Sequence, residues 1–148
     1  MAAEKFRHKL GFVDELADWF KKERDPKQPM IAVGDLNIAP MENDVWDHKK
    51  MLNVVSHTPI ECEKFDLFYR SASWVDAVRH FVPEEEKLYS WWSYRAEDWN
   101  AADKGRRLDH IWVTQKLKSS LKKQNILRDV RGWPRPSDHA PVVVDFAA

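Results

Sequence analysis

The sequence predicts a mixed α+β fold, on three observations. One stretch carries apolar residues at helical spacing, a second opens with a helix-capping signature, and short apolar or alternating runs of strand length lie between and after them. The 148 residues make one domain by length, residues 1–148, with enough apolar side chains for a core.

Over 9–24, Leu10, Val13, Leu16, Ala17 and Phe20 share one helical face, and Asp25-Pro26 stops the helix. The run Met30-Ile31-Ala32-Val33 ends at Gly34 and reads as a buried strand. It delivers Asp35 and Asn37 at its C-terminal end, where α/β folds commonly build sites. Thr58-Pro59-Ile60-Glu61 has the form of a capping box with Pro at the first helical position. The helix that follows reaches about residue 71 and buries Cys62, Phe65, Phe68 and Tyr69.

Residues 74–81 read as a second, shorter helix after a turn, and the acidic stretch 83–87 as a solvated loop. From 88 to 94, aromatic and small polar residues alternate with the period of a strand. A polar connection over 95–105 leads to another strand at 108–114. After it come a turn or short helix at 115–120, a strand at 126–130 and a last strand at 140–146.

Lys/Arg and Asp/Glu balance at 24 each, so binding to a polyanion has to come from local basic patches. The single Cys62 cannot close an intramolecular disulfide, and a reduced, cytoplasmic protein is the simplest expectation. No apolar stretch approaches the roughly 20 residues of a membrane span, and the N-terminus lacks the apolar core of a secretion signal. Neither anchoring nor export is expected.

Three acids stand in informative places. Gly34-Asp35-Leu36-Asn37 follows an apolar run, Arg107-Leu108-Asp109 lies in a strand-like segment, and Ser137-Asp138-His139-Ala140-Pro141 precedes the last strand. Singly, Gly34-Asp35 also reads as a turn, and Asp109 as a strand acid paired with an arginine. Together, three carboxylates, an amide and an imidazole are the parts of a metal-assisted phosphodiester hydrolase.

With Gly34 to Pro40, Trp74-Val75-Asp76-Ala77 and Tyr89-Ser90-Trp91-Trp92-Ser93-Tyr94-Arg95, these motifs make the chain resemble the exonuclease III family of apurinic/apyrimidinic endonucleases. That family lies within the endonuclease/exonuclease/phosphatase fold. The resemblance runs from about Lys5 to Phe146. It covers only about the C-terminal half of the family's domain, and implies the C-terminal lobe of a four-layer α/β/β/α sandwich, DNase I-like, with the N-terminal lobe absent.

By resemblance, Asp35 orients and deprotonates the attacking water, and Asn37 hydrogen-bonds water or a phosphate oxygen. Asp138 matches a metal-site carboxylate for Mg2+, with Mn2+ as a substitute. His139 donates to a phosphate oxygen, and Asp109 holds that imidazole, a partner that raises an imidazole's pKa. Trp91 and Leu108 match the pocket for an extrahelical abasic sugar, while Trp92 reads as packing. Arg106 stands where several members have a large apolar residue, which suits a phosphate clamp or a stack over the sugar. Arg95, Lys104, Arg106 and Arg107 form a basic cluster suited to DNA phosphates. His110, on the strand face opposite Asp109, reads as packing or surface, and His8, His48, His57 and His80 as structural or solvated.

The implied activity is magnesium-dependent cutting 5′ to abasic sites with 3′-to-5′ exonuclease activity, on double-stranded DNA bearing abasic sites or 3′ ends. The missing lobe would carry a metal-binding Glu. Two other readings are an inactive fragment acting at most as a DNA-binding or interaction module, and an inositol-phosphate phosphatase, sphingomyelinase or deadenylase on the same fold. The segment from Tyr89 to Arg95 and Arg107-Leu108-Asp109 favour DNA repair. A sheet without its partner sheet exposes an apolar face, so self-association is the further expectation.

Overall fold

The computed structural model describes all of residues 1–148 and has a mixed α+β fold. Helix α1 (Ala2–Glu23) comes first, followed by strand β1 (Ile31–Asp35) and a single-turn helix α2 (His48–Met51). Helix α3 (Pro59–Arg70) carries the capping box: Thr58 and Glu61 satisfy each other's backbone N–H groups. Its Phe65 and Phe68 are buried, while Cys62 and Tyr69 are half-buried.

Strand β2 (Val75–Asp76) leads to the short hairpin partners β3 (Trp91–Trp92) and β4 (Gly105–Arg106), with a one-turn helix α4 (Trp99–Ala102) between them. Strand β5 (Asp109–Val113) is central, and β6 (Leu121–Ile126) pairs antiparallel with the last strand, β7 (Val142–Phe146).

The main sheet has the order β1-β5-β2, antiparallel throughout. On one face, Ala32, Leu36 and Trp112 meet Val13 and Phe20 of α1 and Phe65 and Phe68 of α3. Trp112 stands edge-on to Phe65, Phe68 and Tyr69, with ring centroids 5.0, 4.9 and 5.2 Å away. Aromatic pairs of this kind add about 0.5–1.5 kcal/mol each beyond area burial.

Four sequence expectations are corrected. Strand β1 is not the buried strand expected, since Ile31 and Val33 lie on the face away from α1 and α3 and are 53% and 70% exposed. Residues 74–81 form β2 and a run of turns, because the Asp76 carboxylate accepts from Arg79 N at 3.1 Å and the segment pairs with the edge of β5. Within 88–94 only Trp91–Trp92 is strand. Ser90 N instead bonds Arg106 O, and Ala140 N bonds Ser90 O. No strand occupies 126–130, where β6 ends and a 3-10 helix spans Arg128–Gly132. A register irregularity between Leu121 and Lys123 breaks the alternation of β6, so its pattern does not read as a strand.

A buried ionic knot ties the sheet to the loop after β1. Arg107, 1% exposed, binds Asp44 through Nε and Nη2, both at 2.9 Å, and Asp76 through Nη1 at 2.7 Å. Arg79 reaches the same Asp44 at 2.7 Å. Burial alone would raise the Asp44 pKa, but the two guanidinium groups hold it below the usual carboxylate range. Arg107 is therefore structural and leaves the basic cluster that the sequence suggests for DNA phosphates.

Candidate active site

Register creates the site. Asp35 of β1 stands directly opposite Asp109 of β5, and both side chains lie on the sheet face away from α1 and α3. Like charges face to face are unfavourable unless something positive lies between them, and His139 does. Its Nδ1 is 2.8 Å from Asp109 Oδ2, and its Nε2 is 3.6 Å from Asp35 Oδ2 and 3.9 Å from Asp138 Oδ1.

Burial opposes a charge on His139. The hydrogen bond and charge of Asp109, with the charges of Asp35 and Asp138, outweigh it, and the imidazole pKa lies above its ordinary value. The ring is thus biased toward the doubly protonated form, with one N–H on Asp109 and the other turned toward Asp35 and Asp138.

Each member is held from behind. Ser90, fully buried, donates to Asp109 Oδ2 at 2.7 Å and accepts from Leu108 N and Asp109 N at 3.0 and 3.1 Å. Trp91 Nε1 donates to Asp138 Oδ2 at 2.9 Å, and a β-bridge links Trp91 to His139. Asp35 Oδ1 accepts from Asn37 N at 2.9 Å, which closes a turn. Asn37 itself has φ 50°, a left-handed conformation that asparagine tolerates, and is exposed beside the cluster.

The next two carbonyls of that loop are also tethered. Ile38 O accepts from His110 Nε2 at 2.7 Å, and Ala39 O is 2.6 Å from His57 Nδ1. Ser90 and the tethering of Ala39 by His57 were not singled out from the sequence. A lone serine inside the aromatic run at 89–92 is the signal for Ser90, since a small polar side chain buried there needs a hydrogen-bonding task.

The structure therefore gathers Asp35, Asp109, Asp138 and His139, and places Asn37 and Trp91 next to them. Leu108 is 4% exposed and packs with Ala39, Val45 and Met51, behind Trp91. Arg106, the cross-strand neighbour of Trp91, lays its guanidinium 4.8 Å from the centre of that ring. Its Nη1 donates to Val55 O at 3.2 Å and Ser56 Oγ at 3.0 Å. A cleft of about 270 Å³ beside Trp91 is lined by Trp46, Trp99, Arg95, Lys104 and Arg106. Gly105 allows this packing, because a Cβ there would collide with Tyr89.

Ligand atoms of Asp35, Asp109 and His139 lie within 4.8 Å of one another, with Asp138 at the edge of the group. Carboxylate oxygens converging at a partly exposed rim suit a hard divalent cation. In its doubly protonated form His139 has no lone pair for a metal, so the donors are carboxylate oxygens, which do not suit a thiophilic cation.

The endonuclease/exonuclease/phosphatase family model matches residues 1–139, and the chain belongs to that family. Within it, the chain falls in the exonuclease III/AP endonuclease group. The exodeoxyribonuclease of Bacillus subtilis is 41% identical over 122 residues, covering 81% of this chain and 45% of that protein. Two solved structures are similar. An AP endonuclease from Archaeoglobus fulgidus matches 100% of this chain and 57% of its own, with a TM-score of 0.93 and 26% identity. A 3′ phosphatase from Neisseria bound to a product DNA hairpin covers 97% and 55%, with a TM-score of 0.86 and 27% identity. The chain spans about half the length of the relatives it matches. No helix is long and apolar enough to cross a membrane.

Proposed function

We propose that residues 1–148 are one domain-sized portion, the C-terminal lobe of a four-layer sandwich, of a metal-dependent DNA repair nuclease. It hydrolyses phosphodiesters 5′ to abasic sites and carries 3′-to-5′ exonuclease activity. The observation that carries the reading is the Asp35–His139–Asp109 arrangement, with two acids placed opposite by register and one imidazole between them.

Asp35, exposed at the strand end, orients and deprotonates the attacking water. His139, its cation stabilised by Asp109, donates through Nε2 to a phosphate oxygen. Asn37 adds a neutral hydrogen bond. Asp138, oriented by Trp91, would hold Mg2+ or Mn2+ with further oxygen donors; a bound cation there neutralises charge on the phosphate. Trp91, Arg95 and Arg106 contact the DNA beside the scissile bond, and Leu108 supports that wall from the core. The solved Neisseria relative with a DNA hairpin supports a duplex substrate. The free Cys62 suits a reducing, cytoplasmic setting.

Full activity on this reading needs the other half of the relatives' length, in a longer chain or a separate one. The test is nicking of a duplex with one abasic site, with magnesium or with chelator. It uses the chain alone and the chain joined to the N-terminal half of the Bacillus subtilis relative. Metal-dependent cutting that disappears in Asp35→Asn is expected. Absence of cutting in both folded samples would sink the nuclease reading, leaving an inactive DNA-binding or interaction module.

A further inference from the structure

We infer that Lys9 of α1 and Glu61 of α3 are a positioning pair that sets the conformation of Asn37, and with it the geometry of the Asp35–Asn37 turn. The inference rests on the nuclease reading for its consequence in catalysis, but not for its structural content.

The Lys9 ammonium donates to two acceptors, the Asn37 carbonyl oxygen and Glu61 Oε1. Lys9 is 15% exposed at its side chain and Glu61 0%. Glu61 is otherwise complete. Its Oε2 accepts from Ser56 N at 2.8 Å, Thr58 N at 3.1 Å and Thr58 Oγ at 2.8 Å. A carboxylate buried this deeply is costly unless its charge is compensated, and Lys9 is the cation that meets it. The ammonium is held by a rigid anchor and spends another proton on the reactive loop.

That proton falls where it matters. Asn37 is in the left-handed region, with φ 50°, and such a conformation persists only when its surroundings hold it. From below, Asp35 Oδ1 captures Asn37 N, and from above, Lys9 captures Asn37 O. Both peptide planes that flank Asn37 are thereby fixed, which fixes the direction of the Cα–Cβ bond from which its side chain starts. Three successive carbonyls, at Asn37, Ile38 and Ala39, are held by side chains from α1, β5 and the loop before α3. Lys9 is the charged tether of the three, and the one at the exposed residue.

The same carboxylate reaches the cleft wall. Ser56, whose N–H is held by Glu61, has φ 92° and accepts at Oγ from Arg106 Nη1. One buried acid thus braces the Asn37 turn through Lys9 and the seat of Arg106 through Ser56. A simple strut between helices needs neither link. The neighbouring pair Lys64–Asp14, 2.6 Å apart, joins α3 to α1 without touching the loop and serves as the control.

The experiment compares Lys9→Met, Lys9→Arg, Lys64→Met and the double variant Lys9→Met/Glu61→Gln. The double variant removes both charges, so it remains informative if Lys9→Met alone unfolds. Amide hydrogen exchange of the 148-residue chain should show residues 36–38 exchanging about tenfold faster in Lys9→Met and in the double variant. Lys9→Arg should restore most of the protection, and Lys64→Met should leave it unchanged. In whichever form cuts DNA, Lys9→Met should lower kcat about tenfold with little change in KM. Unchanged exchange at 36–38 in the double variant, or an equal change in Lys64→Met, would overturn the assignment. If neither the chain alone nor the joined chain cuts DNA, the nuclease reading fails while the exchange result still decides the positioning role.

Discussion

At the scale of single residues, His110 shows how a site's backing imposes its own pH dependence. It is 2% exposed, and burial first, then the Arg107 charge, pushes its pKa down to about 4, against weaker opposing pulls from Asp76 and Asp44. Nε2–H donates to Ile38 O, while Nδ1 is buried without a partner, so a second ring proton would have nowhere to go. The unfolded chain takes up that proton near the ordinary histidine pKa of about 6.5, whereas the folded chain resists until about 4. Stability from this residue is full above the upper value and is lost as pH falls toward the lower one, by about 3 kcal/mol. Urea unfolding at pH 7 and pH 4.5 should show a wild-type loss larger than that of His110→Gln, whose amide can still donate to Ile38 O. Parallel losses in the two proteins would mean that His110 is not the group responsible. The sequence placed His110 correctly, on the face opposite Asp109, but nothing in it marked the ring as a tether for the loop that carries Asn37.

Among elements, what was legible depended on whether local pattern or tertiary contact decided the structure. Helix α3 was readable because Thr58 and Glu61 cap it from within four residues, and β1 because Gly34 ends an apolar run. The turns after Asp76 were not, since they depend on Arg79 and on Arg107, far away in sequence. Likewise, the four residues that cluster, Asp35, Asp109, Asp138 and His139, were legible as a set of motifs, but the support of Asp109 by Ser90 and of Asp138 by Trp91 Nε1 needed the fold. The arginines around β4 show the same division. Arg95 is exposed, whereas Arg107 is buried against Asp44 and Asp76. Arg107→Met should cost about 3–5 kcal/mol, because it strands a buried carboxylate. Arg95→Met should cost less than about 0.5 kcal/mol, as an exposed substitution does. Chemical denaturation of the two variants settles the contrast, and similar small losses would show that the knot is not structural.

For the whole molecule, the decisive fact is that Asp35 and Asp109 share a sheet face with uncovered apolar side chains. Strand periodicity puts Ile31, Val33 and Asp35 on one face, and Ile31 and Val33 are 53% and 70% exposed there. The opposite face is covered by α1 and α3, whereas on this face Leu121, Val144 and Phe146 of β6 and β7 cover Val113 and Ile111 of β5 and leave the β1 side open. The Archaeoglobus structure accommodates this chain in 57% of its length at a TM-score of 0.93, so a fold of this kind coexists there with the other 43% of the polypeptide. A second lobe on the Ile31/Val33 face would bury that surface and bring further groups to the rim where Asp35 and His139 stand. Without it, the cheapest cover is a second copy, and the 148-residue chain should self-associate at micromolar concentration. Sedimentation velocity should show dimers or larger species for wild type and a shift to monomer for Ile31→Lys/Val33→Lys. Leu67→Lys, at a 56% exposed position on α3, should leave the distribution unchanged. A monodisperse wild-type monomer would mean that the exposed face tolerates water by itself and needs no covering lobe.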